Sequence, residues 1–486
     1  MFYDCIILGG GISGLYLAYK LHLLYPNKKV VLVEKERHLG GRVYTYYDSK
    51  MTVEMGAGRF CFQHVHLMEL IRELGLAKNI MKIGSNMGLY APSDGTGSMQ
   101  PNKLYLKKTG GEGYGGSGGM EGSGGMGGEG LLQKVIQASK KEKKEDLMKQ
   151  SFSSYALQIL SKEDVQYIKD SFGYYSELVL MNAFDAIVLL EEFKPEIEYY
   201  SLHGGLMQII FKMEAKLTGK NVHRKMSSKH GGAWGAEGPE GARGAGYTRK
   251  QVKKVARKVR IMRHKKVLDI KPIFGEMGGS GFEVYIKGSQ EIIRGKTCIC
   301  ALPKQALYKM KVFEGTHVPR MLDSIQCGSL CRIYSIFDKN HEGKVWFQDY
   351  SKFTTNNELR MVIPIDVKSG VIMTSYSDNI YADYWHDLYV NSGVGAVNKR
   401  LKELMKESLG VDIPMPKHTK VFYWKCGVGY WGVGANSAVI SHQIQKPFDE
   451  LDLYICGEHY SSTHQQWMEG ALETAHQVLG FIGGGG

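Results

Sequence analysis

The first forty-two residues constrain this chain more than any other stretch. An apolar run, Cys5-Ile6-Ile7-Leu8, leads into Gly9-Gly10-Gly11-Ile12-Ser13-Gly14. A segment with apolar residues at Leu15, Leu17, Ala18, Leu21 and Leu24 follows, and a second apolar run, Val30-Val31-Leu32-Val33, ends on Glu34 with Lys35 beside it. The order strand, tight turn, amphipathic helix, strand predicts the βαβ unit that clamps a dinucleotide. Glycines 9, 11 and 14 permit the turn, the close approach of backbone to a pyrophosphate and close helix-to-strand packing, with Ile12 and Ser13 inside the same clamp. A chain holding 61 glycines produces such a pattern by chance more easily than most. The context decides, because an acidic residue stands 20 positions beyond Gly14, where a ribose hydroxyl is bonded. Glu34 repels a 2′-phosphate, which favours FAD or NAD over NADP.

A second signal separates FAD from NAD. Gly40-Gly41-Arg42 follows the Glu strand at once, and near the other end Leu453-Tyr454-Ile455-Cys456-Gly457-Glu458-His459 leads into Gln466-Trp467-Met468-Glu469-Gly470-Ala471. Together these blocks resemble the FAD-binding amine oxidase superfamily, of the monoamine oxidase and L-amino-acid oxidase kind. The resemblance implies noncovalent FAD touched by Gly41 and Arg42, by Gly457 and Glu458 near the ribityl and pyrophosphate, and by Trp467 beside the isoalloxazine ring. A helix starting near Met468 would aim its amide dipoles at the electron-rich end of the reduced flavin. Glu54-Met55-Gly56-Ala57 resembles the family's acidic-x-Gly-Ala turn, which continues through Gly58 and Arg59. Leu202-His203-Gly204-Gly205-Leu206 resembles its Gly-Gly helix start. Cys298 to Pro303 reads as the strand closing the cofactor domain, and Val267-Leu268-Asp269-Ile270 as the strand before it, which brings Val267 to the cofactor.

The family chemistry asks little of side chains. Hydride passes from the carbon bearing a neutral nitrogen to flavin N5, dioxygen takes the electrons to give hydrogen peroxide, and the imine hydrolyses, so the protein mostly positions and desolvates. Four residues are implied at the reacting end. Trp467 and Trp431 would frame the flavin. Arg332, in Gly328-Ser329-Leu330-Cys331-Arg332, occupies the place of the family lysine that helps oxygen react, and Arg for Lys changes geometry and hydration. Arg59 matches an arginine that L-amino-acid oxidases fork onto the substrate carboxylate. The cysteine carrying covalent flavin in monoamine oxidases corresponds to Val433, and Cys426 is out of register.

At 486 residues the chain exceeds one ordinary core. The expected architecture is α/β: a discontinuous, doubly wound, Rossmann-like FAD-binding domain at 1–75, 205–320 and 420–486, with an inserted α+β substrate domain at 76–204 and 321–419, its helical cap spanning 131–200. Scattered cysteines inside apolar strands suggest reduced thiols, no metal site and, with no signal peptide or membrane-length apolar run, a cytoplasmic enzyme. Two low-complexity stretches interrupt the pattern. Residues 109–130 are mostly glycine and read as a flexible loop. Residues 220–266 hold fifteen Lys or Arg against two Glu, an excess equal to the formal charge of the whole chain, +13. Its second half reads as a basic helix or hairpin, which offers a site for a polyanion or nucleic acid, although a solvated insertion explains it as well. Besides an amine or amino-acid substrate and dioxygen, two other uses of the scaffold stay open: a desaturase or porphyrinogen oxidase, and a flavoprotein without turnover.

Overall fold

The computed structural model describes residues 1–83, 87–90, 99–100, 130–193, 197–219, 259–274 and 280–483. The Gly-rich stretch 109–130, except Gly130, and residues 220–258 of the basic stretch lie outside the described residues, and so does the polyanion expectation that rests on them.

The N-terminal pattern forms as its spacing predicts. Strand Phe2–Leu8 runs into helix Ile12–Leu24 and then strand Val30–Val33. These strands pair in parallel in the middle of a seven-stranded sheet. On one side Phe2–Leu8 pairs in parallel with Ile292–Cys300, whose end also pairs with Leu453–Ile455. Cys5 and Ile7 face a core containing Leu15, Leu472 and Ile209, while Ile6 and Leu8 face another containing Phe282 and Leu322. A strand buried on both faces explains why Cys5 to Leu8 is a continuous apolar run.

The sheet departs from the sequence expectation in two places. The strand directly before Ile292–Cys300 is Ser280–Ile286, which lies between it and Val267–Phe274 in an antiparallel meander. Within the basic stretch, Val259–Met262 is neither helix nor hairpin but a strand parallel to Val30–Val33. Val259 and Met262, three apart and so on opposite faces, are each buried in a different core, while Arg260 and Arg263 reach out to Glu291 and Glu214.

A second seven-stranded sheet contains Ile325–Ile336, Lys352–Thr355, Met361–Asp366, Val371–Asp378 and His418–Trp431. The last of these spans residue 420, so the expected start of the third cofactor segment falls inside a strand of the second sheet. Period-two alternation sorts strand Ile325–Ile336 by face: Cys331 and Ile333 pack with Trp385 and Leu401 of helix Asn379–Leu409, whereas Leu330, Arg332 and Tyr334 turn to the central cavity. Helices between 131 and 190 close the far side through Phe152, Ile168, Leu178 and Leu189. No helix among the described residues is long and apolar enough to cross a membrane.

Candidate active site

One cavity of about 1710 Å³ runs between the two sheets, lined at one end by Gly9 and Glu34 and at the other by Arg59, Arg332 and Trp467. At the first end Gly9 adopts φ +103°, and a Cβ on Gly14 would stand 2.0 Å from Gly9 O. Turn and helix therefore touch backbone to backbone. Gly11, Ile12 and Ser13 line the cavity, at the helix N-terminus whose first amides have no partner within the helix. Glu34 is fixed at the end of its strand by Gly10 N–H, which donates to Oε2 at 2.6 Å, and Glu36 N–H, which donates to Oε1 at 2.8 Å. Lys35 and Val267 line the same end.

The middle is organised around a buried carboxylate. Glu458 accepts from Arg42 Nη1 at 2.6 Å, Gly429 N at 2.8 Å and Gln466 N at 2.9 Å. Burial alone would raise its pKa, but Arg42, His459 and the two backbone donors outweigh it and hold Glu458 below the ordinary value. His459 is pushed by burial to about 4 and is neutral. Gln466 takes φ +72°, and helix Met468–Gly483 begins two residues on, with Met468 and Ala471 at the cavity. Glu469 points away and accepts from the amides of His66 and Leu67, tying this helix to the start of Val65–Glu73.

The inner end is cationic and aromatic. The Arg59 guanidinium lies 4.5 Å from the Tyr199 ring centroid, 5.5 Å from Phe193 and 5.7 Å from Trp467, and donates to Tyr174 Oη at 3.3 Å. Arg332 donates to Glu54 O at 3.0 Å and lies 4.4 Å from the Tyr376 centroid. Neither arginine forms an ion pair with a carboxylate among the described residues. The acidic groups in the wall do not balance them: burial, with Asp378 next, pushes Glu177 well above its usual range, and burial raises Asp378. The indole N–H of Trp467 is buried without a hydrogen-bond partner among the described residues.

Lys352 joins this wall, its pKa lowered to about 7 by burial and then by Arg59. Between about 7 and the ordinary lysine value of 10.5 the unfolded chain holds a proton that the folded one has lost, so this group makes stability rise with pH across that window. Lys352→Met is accordingly expected to raise the melting temperature at pH 6 more than at pH 9, as calorimetry at the two pH values would register. An equal shift at both would show that Lys352 stays charged.

The family model for flavin containing amine oxidoreductases matches residues 127–478, and that for an NAD(P)-binding Rossmann-like domain matches residues 7–74. The chain belongs to the flavin-containing amine oxidoreductase family. Polyamine oxidase 5 of Oryza sativa subsp. japonica is 34% identical over 111 residues, 21% of this chain and 22% of that protein. Amine oxidase [flavin-containing] B of Bos taurus is 36% identical over 74 residues, 15% of this chain and 14% of that one. An uncharacterized protein of Acanthamoeba polyphaga mimivirus is 40% identical over 76 residues, 15% of each chain. The matched stretches thus span less than a quarter of these relatives. Among solved structures, a double mutant of putrescine oxidase redesigned in its cofactor binding covers 99% of both chains with a TM-score of 0.68 at 14% identity, a likeness of fold.

The cofactor of this flavin-containing family is FAD, and the residues present fit it. A glycine cradle, a helix N-terminus with free amides, a ribose-directed carboxylate and a cavity continuous with an orphaned indole N–H are what a dinucleotide with a ring at its far end requires. Of the sequence-predicted residues, Gly9, Gly11, Ile12, Ser13, Glu34, Lys35, Gly41, Arg42, Gly56, Ala57, Gly58, Arg59, Val267, Arg332, Gly457, Glu458, Trp467 and Met468 all line the cavity. Gly14 sits directly behind it.

Two expectations need correction. Trp431 is not a cavity wall: it is 1% exposed, packs in the core with Ile325 and Tyr460, and donates its indole N–H to Ser461 O at 2.9 Å. Trp424 stands at the cavity instead, its indole N–H donating to Met55 O at 2.7 Å. The reason is parity against the partner strand: Trp424 pairs with Leu330 and Trp431 with Ile325, five residues apart, so the two indoles fall on opposite faces. Trp431→Phe is expected to cost about 1–3 kcal/mol of stability, from the void and the lost donor, and to leave the flavin spectrum unchanged. A shifted flavin band in that variant would return Trp431 to the site. The second correction concerns the thiols: Cys327 and Cys426 are disulfide-bonded across neighbouring strands, while the other six cysteines are free and buried.

Proposed function

We propose that this chain is an FAD-dependent oxidoreductase that oxidises the C–N bond of an amine bearing a carboxylate, an L-amino acid, with dioxygen as final acceptor, giving hydrogen peroxide and an imine that hydrolyses. The observation that carries the reading is Arg59, a cation held by Tyr174 and three aromatic faces at the Trp467 end of the cavity, with no carboxylate partner among the described residues. A charge placed in such surroundings is costly unless an anion meets it, and a planar fork of donors suits a carboxylate.

FAD, when bound, supplies the two-electron acceptor that takes hydride from the carbon next to a neutral nitrogen. The protein's part is holding and drying. Gly9, Gly11, Ile12, Ser13 and Glu34 would hold the adenosine diphosphate half, with Lys35 and Val267 alongside. Gly41, Arg42, Gly457 and Glu458 would hold the middle, and Gly56, Ala57, Gly58, Trp467 and Met468 the ring. Arg59 would orient the substrate by its carboxylate. Arg332, tied to the Glu54 carbonyl and the Tyr376 ring, fixes the turn that carries Gly58 and Arg59, since a Cβ on Gly58 would lie 3.1 Å from Arg332 Nη1. In this reading the flavin is noncovalent, supported by the engagement of Cys426 with Cys327 in the oxidised protein and by Val433, which offers no nucleophile. Arg59 and Arg332 together disfavour a dication such as putrescine in the same place.

The test is the visible spectrum of the purified holoprotein, followed anaerobically near the flavin band while L-amino acids, monoamines and putrescine are added in turn. Bleaching by L-amino acids supports the reading. Bleaching by amines alone removes the carboxylate role of Arg59, and bleaching by none of them removes the amine reading.

A further inference from the structure

The geometry points to a second redox centre in the cavity wall: we propose that Cys327–Cys426 is a redox-active disulfide that exchanges two electrons with the flavin. This requires bound FAD but not the amine reading above.

The bond sits at an irregularity in the second sheet. Strands Ile325–Ile336 and His418–Trp431 pair Gly328 with Val428 and then Leu330 with Trp424, so Lys425, Cys426 and Gly427 together face the single residue Ser329. A bulge of this kind re-aims a side chain and is common beside active sites. It brings Cys426 within a Cα–Cα distance of 5.2 Å of Cys327, 99 residues away in sequence. Cys426 lines the cavity, and both cysteines are partly exposed. Its place along the cavity is set by its neighbours. A Cβ on Gly427 would stand 2.6 Å from Leu330 Cγ, and Leu330 shares the cavity face with Arg332. Trp424, two residues from Cys426, is bonded to Met55 beside the Gly56-Ala57 turn. The sulfurs thus stand beside His459 and Arg42 at the middle of the cavity, next to the end that receives the ring and away from Gly9 and Glu34.

The surroundings favour a bond that opens. Gln305 Nε2 donates to Cys327 Sγ at 2.5 Å, His459 Nε2 lies 3.7 Å from Cys426 Sγ, and Arg42 Nη1 lies 3.3 Å from that same imidazole nitrogen. A thiolate released at Cys327 meets an amide donor, and one at Cys426 meets the neutral His459 imidazole, behind which Arg42 is paired with Glu458. Both sulfurs thus sit in polar, partly accessible places, whereas the six free cysteines are enclosed in apolar packing as inert structural ones are. Breaking the Sγ–Sγ bond forms two S–H groups and takes up two electrons and two protons. A fully reduced flavin releases that same quantity on returning to its oxidised form, so the exchange balances without a further reagent.

The experiment reduces the flavin by light with EDTA in the anaerobic holoprotein, with no amine present, then alkylates and maps the peptides. Cys327 and Cys426 are expected to be linked before illumination and alkylated after it, while the same light leaves the bond intact in apoprotein. Anaerobic dithionite titration is expected to consume four electrons per FAD in the native chain and two in the Cys327→Ser/Cys426→Ser double variant. The proposal fails if the flavin bleaches and the two peptides stay linked, if both thiols are already free in the oxidised protein, or if the native chain takes up only two electrons. Because no amine takes part, none of these results depends on the substrate.

Discussion

Gly14→Ala is expected to yield a colourless protein. The added methyl would stand 2.0 Å from Gly9 O and 3.3 Å from Ala301 Cβ, and neither neighbour can give way: Gly9 is itself wedged at φ +103°, with its own Cβ position 2.3 Å from Ala301 O. Helix Ile12–Leu24 would have to back away from the turn, taking its N-terminal amides out of line with the phosphates. Loss of that alignment at a pyrophosphate is worth about 3 kcal/mol or more, a Kd for FAD raised at least ~100-fold. Fluorescence titration of apoprotein with FAD measures it. Gly11→Ala separates the two uses of glycine, since nothing lies within 4 Å of a Cβ there. That variant is expected to fold with an unchanged melting temperature as apoprotein and to lose FAD affinity only because the methyl meets the cofactor. A Gly14→Ala protein that stays yellow would show that the turn tolerates displacement.

What the sequence discloses, and what it hides, divides along one line. The cofactor half was legible because its demands fall on backbone: Gly9, Gly14 and Glu34 are tied to one local unit by fixed spacing, and Gly457, Glu458 and Trp467 form a second. The inner wall was not legible, because each member comes from a different strand or helix. Tyr174, Glu177, Lys352, Tyr376 and Asp378 meet only after the second sheet and the helices above it have packed. Tyrosine in an apolar context reads as core, and nothing near Lys352 in sequence says that it points inward. The tryptophan choice failed because the two indoles fall on opposite faces of His418–Trp431, and the bulge between them hides from the sequence which one reaches the cavity. The disulfide escaped because the bulge that brings Cys426 to Cys327 has no local signature.

Arg59→Ala should split the substrates rather than slow them all. If the guanidinium meets a carboxylate, its removal takes away charge-assisted hydrogen bonds worth about 1.5–3 kcal/mol each, and two from one fork lower the rate constant for flavin bleaching by an L-amino acid about 100-fold or more. An amine without a carboxylate never makes that contact. Its rate is expected to hold or to rise, because the variant no longer sets a fixed cation beside the Trp467 end of the cavity. Arg59→Lys is expected to recover little, since a point ammonium cannot reproduce the planar fork held against Tyr174 and Tyr199. A merely structural role gives a different result: the Tyr174 bond and the aromatic stack would be lost for every substrate, and amino acid and simple amine would slow together. The ratio of the two bleaching rates, native against variant, therefore reports on recognition independently of any change in folding.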